Sequence, residues 1–322
     1  MNIQQNILAF LANAEQPFIA PTAPNFLQYD LQRLYSPDGK SRVYFLKDDP
    51  QKRFFLGCTT FCSAILPQSH VLTQYRINQA VTVGAEMAQI EFELSAIYGT
   101  VYHIILAYLV RDVMVVENWQ IKDVRAICED VAEAYLQQSY PLFKKRFLAD
   151  YSHKLHKNVN CFLQWAVDVN LRPIASEYRV VDFENGIAGT IDLVAQISQN
   201  GKTETFIIDF KSSEKGVFYD SHKLQLAFLR HAWNETAAVG GFAKIEKVGN
   251  FSPKDYRKET PTYTFECSEK EYAPYINSLP HYFAICKIHK TIENALPKAE
   301  KIVWENGKPE YIQLQNSFTA QK

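Results

Sequence analysis

Two Asn-Gly turns separate alternating apolar and polar runs near the middle of this 322-residue chain. They are Asn185-Gly186 and Asn200-Gly201. Asn-Gly readily adopts the positive φ values that a tight hairpin turn requires, so it is the strongest short-range hairpin signal. The sequence therefore predicts a three-strand antiparallel meander over residues 175–213.

The predicted register brings acidic side chains together. If the second turn contains two residues, Asp192 lies opposite Asp209. The same rule for the first turn places Arg179 opposite Asp192. Because side chains alternate between the faces of a strand, Glu177 and Lys211 fall on the same face as these three residues. The meander thus predicts a face with three carboxylates and two cations.

This arrangement is electrostatically unfavourable without a partner. Cross-strand carboxylates roughly 5 Å apart, at an effective dielectric near 20, repel by on the order of 3 kcal/mol. Protonation, ion pairing or a divalent cation can relieve this repulsion. Val194 and Ile207 on the acidic face predict a partly enclosed pocket, where oxygen ligands suit Mg²⁺ or Mn²⁺. The alternative is a structural salt-bridge cluster balanced by Arg179 and Lys211. The opposite face is predicted to be apolar, with Tyr178, Val180, Ile191, Leu193, Phe206, Ile208 and Phe210.

The spacing of these residues also resembles a known family. The segments G-T-I-D at 189–192 and I-I-D-F-K at 207–211 resemble the metal-binding core of the PD-(D/E)XK nuclease superfamily, in its RecB-type and phage-exonuclease branch. Ile191 stands where the name-giving proline would be. Asp209 replaces the more usual glutamate, which keeps the ligand chemistry and shortens the reach by one methylene.

A glutamine after the meander extends the resemblance. Asp220 or Ser221 is a predicted N-cap for a helix running to about Glu235. Gln225 lies on the apolar face of that helix, and a polar amide there needs a partner. The RecB-type branch has a glutamine beside the metal site in a Q-x-x-x-Y motif, although the tyrosine is absent here. A glutamine bonded to a neighbouring loop is the structural alternative.

Two upstream segments match the same branch. Y-G-T-V-Y-H at 98–103 resembles its G-T-x-x-H motif and is predicted to open an apolar helix. His103 would then ligate a second metal or orient the first; a satisfied core histidine is the alternative. F-F-L-G-C-T-T at 54–60 resembles the S-V-T-T-I-L block of phage-type members. The resemblance spans residues 54–248.

The resemblance implies metal-assisted hydrolysis of a DNA phosphodiester. Asp192, Asp209 and the backbone carbonyl of Phe210 would hold Mg²⁺ or Mn²⁺. Lys211 would orient the attacking water or stabilise the transition state as a point charge.

The remaining candidates have supporting roles in this scheme. Glu177 would complete an outer shell or bind a second ion, as would His103. Gln225 would orient the lysine or a metal-bound water.

Cysteine content and apolar segments bear on cofactors and location. The six cysteines form no disulfide framework, which predicts a reducing, cytoplasmic environment. Some relatives carry an iron–sulfur cluster on one cysteine before the core and three after it. Only Cys267 and Cys286 follow the core here, so no cluster is expected. The longest apolar stretch, Ala96–Val110, is shorter than a membrane span, and no membrane association is expected.

The net charge of −1 does not by itself indicate a nucleic-acid partner. A local basic segment at 141–157 alternates with Tyr140, Phe143, Phe147 and Tyr151. Such a stripe could follow a phosphate backbone and stack bases. An amphipathic helix with its aromatic side chains in the core is the equal alternative.

The coarse pattern predicts an α/β fold with a mixed central β-sheet flanked by helices, like a restriction-endonuclease core, and a mainly helical N-terminal half. Residues 1–53 are predicted to be peripheral and 54–170 mainly helical. Residues 171–250 are predicted to form the α/β core, including a strand at 241–248. Residues 251–322 are predicted to add a strand and helices packed on that core.

Family resemblance favours a DNA exonuclease of replication, recombination or repair, of the type that phages encode. An endonuclease of the same fold and a catalytically silent DNA-binding or scaffold protein are alternatives. A hydrolase of small phosphoesters is weaker, since no set of phosphate-binding donors is evident. The choices between single- and double-stranded substrates and between DNA and RNA stay open.

Overall fold

A computed structural model describes the chain except residues 1–2, 14–15, 22, 24–25, 36–41, 67–69, 114–123, 256, 290, 292–295, 298–301, 306–307 and 312–322. A large mixed sheet lies between two layers of helices. The predicted α/β class is therefore confirmed.

Among the described residues, nine strands form the central sheet, and two more form a separate hairpin. The central strands are β1 (Phe18–Ile19), β2 (Leu31–Tyr35), β3 (Arg42–Leu46), β4 (Phe54–Gly57), β5 (Arg172–Asp182), β6 (Ile187–Gln199), β7 (Lys202–Phe210), β8 (Lys247–Lys254) and β9 (Thr262–Glu266). The hairpin consists of β10 (Ile302–Glu305) and β11 (Lys308–Tyr311).

The described part of the chain contains eight α-helices. They are α1 (Ile3–Ala12), α2 (Cys58–Ile65), α3 (His70–Val83), α4 (Ala85–Tyr108), α5 (Val124–Ser139), α6 (Lys144–Asp168), α7 (Asp220–Gly240) and α8 (Glu269–His289). A π-helical turn, Leu109–Val113, continues α4.

Strand β6 divides the sheet. Strand β5 pairs with it along one edge, from Ile187 to Gln196. On the other edge, β4 pairs in parallel up to Ala188, and the antiparallel pairing with β7 starts at Leu193. The edge between these two ladders, residues 189–192, is called the strand fork below. Because Asp192 lies at the fork, its side chain is free to point between β6 and β7 rather than across a regular ladder.

The two faces of the sheet have separate cores. Helices α4, α5 and α6 pack on one face with Leu193, Ile208 and Phe210. Helices α2, α7 and α8 pack on the other face with Tyr178 and Ile191, and with the five other apolar meander residues Ala175, Val180, Ile187, Val194 and Ile207. The prediction of one apolar face was therefore wrong. Ile191 and Leu193 face different cores because the alternation of β6 breaks at Asp192, opposite the irregular backbone of Glu177 in β5.

Several predicted boundaries differ from the structure. Residues 1–53 are not merely peripheral, since β1 pairs with β5 and the β2–β3 hairpin extends the sheet beyond β4. The helix predicted to open at Tyr98 begins at Ala85, because no residue from there to Tyr98 breaks the helix. The strand predicted at 241–248 begins at Lys247, since Gly241, with φ of 70°, forms the C-cap of α7.

Helix α4 with its continuation, Ala85–Arg111, is long and apolar enough to cross a membrane by composition alone. Of its most apolar window, 61% is buried inside the protein. A core helix passes the same test, and α4 contributes much of the first core.

Candidate active site

Asp192 and Asp209 lie near each other at the strand fork, close enough for the charge of Asp192 to act on Asp209. The backbone N–H of Phe210 donates to Oδ2 of Asp192 at 2.8 Å. This bond replaces the ladder bond that β6 would have accepted, because the β6–β7 ladder ends at Leu193 and Ile208. The Asp192 carboxylate is thereby fixed beside the strand that carries Asp209.

The register of the second hairpin is as predicted. Gln199 pairs with Lys202 around Asn200-Gly201, both of which have positive φ. The ladder ends at Leu193 and Ile208, so Asp192 and Asp209 each lie one residue beyond its last pair.

The environments of the two carboxylates differ. Asp209 is 2% exposed, and burial raises its pKa to about 6, with Lys211 opposing and the Asp192 charge adding to the rise. Burial also acts to raise the pKa of Asp192. His103, the Phe210 N–H and Lys211 outweigh it, so this pKa lies below its usual value. The pKa of Asp192 is thus lowered while that of Asp209 is raised, so added positive charge favours the ionised form of Asp209.

Lys211 and Gln225 are in contact, as predicted. The Lys211 Nζ lies 2.6 Å from Oδ2 of Asp209 and donates to Oε1 of Gln225 at 3.2 Å. Gln225 is in the second turn of α7, whose C-terminal part packs on β6. The ammonium is therefore held between a buried carboxylate and a helix-borne amide.

The glycine of the G-T-I-D segment has a packing role. A Cβ at Gly189 would lie 2.6 Å from Cδ2 of Leu229 and 3.3 Å from Cβ of Cys58. Only glycine lets α2 and α7 approach β6 this closely, and α7 carries Gln225.

His103 lies next to Asp192, with Nδ1 3.5 Å from Oδ2. Its ring packs edge-on against Phe210, with centroids 6.2 Å apart. Burial lowers the pKa of His103, but the nearby carboxylates, Asp192 above all, outweigh this and raise it. The histidine is brought to the site, where it forms an ion pair when protonated.

Arg179 does not face the acids, so that prediction was wrong. It pairs with Thr190, and its guanidinium donates to the carbonyl of Leu31. The first hairpin has a four-residue loop, 183–186, because its last pair is Asp182 with Ile187. The register therefore shifts by two residues.

Glu177 occupies the position that Arg179 was predicted to take. It lies opposite Asp192, between the pairs Ser176–Leu193 and Tyr178–Ile191. Burial raises the pKa of Glu177; Arg33 opposes this rise and the charge of Asp192 adds to it. The three predicted carboxylates are therefore brought together.

Arg33 was missed by the sequence analysis. Its Nη2 lies 3.2 Å from Oε2 of Glu177 and donates to Oγ1 of Thr190 at 3.0 Å. The same Thr190 oxygen is 3.0 Å from the hydroxyl of Tyr44. Arg33 is in β2, far from the meander in sequence, and no local pattern indicates the contact.

The loop after β7 is anchored to the helical layer. Asn158 is fully buried and donates to Glu214 at 3.1 Å and to Tyr98 at 2.6 Å. The Lys154 Nζ lies 3.3 Å from Glu214. This cluster, also missed, fixes the backbone that follows Lys211.

The basic segment at 141–157 does not present its aromatic side chains for stacking. Phe147 is fully buried, and Tyr151 stacks on it inside the first core. Lys144 pairs with Glu133 at 2.6 Å. The amphipathic-helix interpretation is confirmed for these aromatics.

The side chains at the fork are compatible with a hard divalent cation. Within the described ranges, no group of three His, Cys, Asp or Glu residues is arranged to hold a metal. The candidate ligands are instead two carboxylates and one backbone carbonyl. Oδ2 of Asp209 is buried and, apart from the ion pair with Lys211, receives no hydrogen bond from the described residues. Oxygen ligands of this kind match Mg²⁺ or Mn²⁺.

Comparisons with known proteins assign no family to the chain. No family model and no curated protein match it. One solved structure, described as "Crystal structure of SSO0001", is similar at 16% identity, with 61% of this chain and 74% of that one covered. The TM-score of 0.22 is too low to support an argument about fold or function.

Proposed function

We propose that this protein is a metal-dependent nuclease that hydrolyses DNA phosphodiester bonds, acting as an exonuclease in replication, recombination or repair in the cytoplasm. The observation that carries the proposal is the closeness of Asp192 and Asp209 at the strand fork, where the charge of Asp192 acts on Asp209 and Lys211 lies 2.6 Å from Asp209. Two crowded carboxylates with an adjacent ammonium suit the binding of a cation and a phosphate together.

Asp192, Asp209 and the carbonyl of Phe210 would hold Mg²⁺ or Mn²⁺, which supplies an acidified water and stabilises charge on the phosphate. The chain supplies the rest. Lys211, held by Asp209 and Gln225, directs its ammonium at the phosphate or the attacking water. His103 keeps the Asp192 carboxylate in place from the α4 side.

The test compares linear and circular DNA, each single- and double-stranded, with Mg²⁺. We expect digestion of linear DNA only, and a loss of about 100-fold or more in Asp192→Asn and Lys211→Ala. Asp182→Asn is the matched control, since Asp182 is also a buried aspartate of the meander but lies outside the site. Full activity in Asp192→Asn would reject the site assignment, and cleavage of circular DNA would indicate an endonuclease.

A catalytically silent DNA-binding protein is the second candidate. It is favoured by the ion pair of Lys211 with Asp209 at 2.6 Å, which balances the buried carboxylate without a catalytic role. Binding of Mn²⁺ in calorimetry without cleavage of any of the four DNA substrates would support this candidate over the nuclease.

A further inference from the structure

Arg33 reaches the acidic site from an edge strand outside all the predicted motifs. Its side chain is 9% exposed, and that of Glu177 is 16% exposed. A guanidinium stays charged at any pH that the protein tolerates. The Glu177 carboxylate therefore forms an ion pair with a buried partner that is charged at every relevant pH.

The guanidinium is itself held in place. Thr190 accepts from the same Nη2 that contacts Glu177, and Tyr44 from β3 lies within hydrogen-bond distance of Thr190. Thr190 is two residues before Asp192 on β6. Arg33 thus cannot follow a displaced Glu177 without breaking a second contact.

The backbone of Glu177 has an unusual conformation. Its φ is 52°, a left-handed value that is uncommon for a glutamate and that tends to persist only where the surroundings enforce it. This conformation turns the side chain towards Arg33 although Asp192 is its cross-strand neighbour. Glu177 is close enough to Asp192 and His103 for their charges to act on it.

We infer that the ion pair with Arg33 prevents Glu177 from acting as a metal ligand. The site then holds one divalent ion, on Asp192 and Asp209, rather than two. The inference rests on the proposed function. To ligate a second ion, Glu177 would have to leave Arg33, and the guanidinium would then lose this carboxylate and stand beside two cations. Like charges in a partly buried site disfavour that state.

The experiment counts Mn²⁺ per chain in the full-length protein by calorimetry and by electron paramagnetic resonance. Wild type is expected to bind one ion and to give an uncoupled Mn²⁺ spectrum. Arg33→Gln frees Glu177 and is expected to bind two ions, with the spectrum of an exchange-coupled pair. Arg33→Lys keeps a cation beside Glu177 and is expected to return to one.

Three further variants separate the effect of the Arg33–Glu177 ion pair from general destabilisation. Arg53→Gln removes an arginine–carboxylate pair outside the site, between an exposed Arg53 and a buried Asp49 at 2.9 Å, and is expected to keep one ion. The double variant Arg33→Gln/Glu177→Gln is expected to bind one ion, because the second ion needs the Glu177 carboxylate. Glu177→Gln alone is likewise expected to bind one ion, which tests the inference even if Arg33→Gln fails to fold.

Two bound ions in wild type, one ion in folded Arg33→Gln, or loss of the ion in Glu177→Gln would overturn the inference and leave the nuclease proposal standing. Absence of any Mn²⁺ binding in wild type would overturn both.

Discussion

Asp182 is a buried carboxylate that its neighbours keep charged. It is 4% exposed and accepts hydrogen bonds from the backbone and side chain of Asn185, at 2.9 and 2.7 Å. Nε2 of His231 lies 3.1 Å from it. Burial acts to raise the pKa of Asp182, but these three contacts outweigh burial and lower it.

This depressed pKa predicts an acid-dependent part of the stability. The unfolded chain binds the Asp182 proton more tightly, so the stabilisation is present above the ordinary pKa of about 3.9 and is lost as the pH falls through the lower folded pKa. We expect Asp182→Asn to be less stable than wild type at pH 6, with the difference shrinking towards pH 3. Urea unfolding at a series of pH values measures it.

The control for this prediction is Asp48→Asn, at an exposed position in a turn. It should leave the pH dependence of the urea midpoint unchanged. A constant stability difference between wild type and Asp182→Asn from pH 6 to pH 3 would contradict the assignment.

Single residues also explain which parts of the site could be predicted. Asn200-Gly201 fixes a two-residue turn locally, so the register of β6 and β7 up to Leu193 and Ile208 follows from sequence. Asn185-Gly186 does not form the predicted two-residue turn. The Asp182 side chain instead accepts a hydrogen bond from the backbone of Asn185 and stabilises a four-residue loop. Arg33 could not be found, since its contact with Glu177 joins residues 144 positions apart.

At the scale of elements, the site depends on how closely α7 packs on β6. The approach is set by Gly189, where an added Cβ would clash with Leu229. The amphipathic pattern of α7 predicts that a helix forms. The distance between α7 and β6 depends on a contact between residues far apart in sequence, which no local pattern indicates. The G-x-x-D spacing singles out Gly189 in the sequence. In the structure, this glycine leaves room for Leu229 of α7.

Gly189→Ala is therefore expected to push α7 away from the sheet. Overpacking of this kind costs roughly 1–3 kcal/mol of unfolding free energy. Activity should fall as well, because α7 positions Gln225 against Lys211. Chemical denaturation and DNA digestion measure the two effects.

Leu229→Val provides the matching test, because it removes the Cδ2 atom that meets the new methyl group. In a double-mutant cycle, Gly189→Ala and Leu229→Val together should destabilise the protein by less than the two separate losses added. If the two changes in unfolding free energy are strictly additive, the close approach of Leu229 to Gly189 does not limit how α7 packs on β6.

At the scale of the whole molecule, one sheet with two helical layers positions the acidic site. His103 reaches the site from α4, on one face of the sheet, and Gln225 reaches it from α7, on the other face. The edge hairpin β2–β3 supplies Arg33 and Tyr44. The sequence predicts this α/β arrangement from periodicity, whereas the fork itself arises from the pairing of β4 and β7 with the same edge of β6.

The two aspartates at the fork are expected to bind a divalent cation, and the proposed function depends on this binding. The measurement is titration calorimetry with Mn²⁺ on wild type, Asp192→Asn and the control Asp182→Asn. We expect binding in wild type and in the control, and a loss of about 100-fold or more in affinity in Asp192→Asn, since the charge of a partly buried ligand is removed. Undiminished binding in Asp192→Asn, or no binding in wild type, would contradict it.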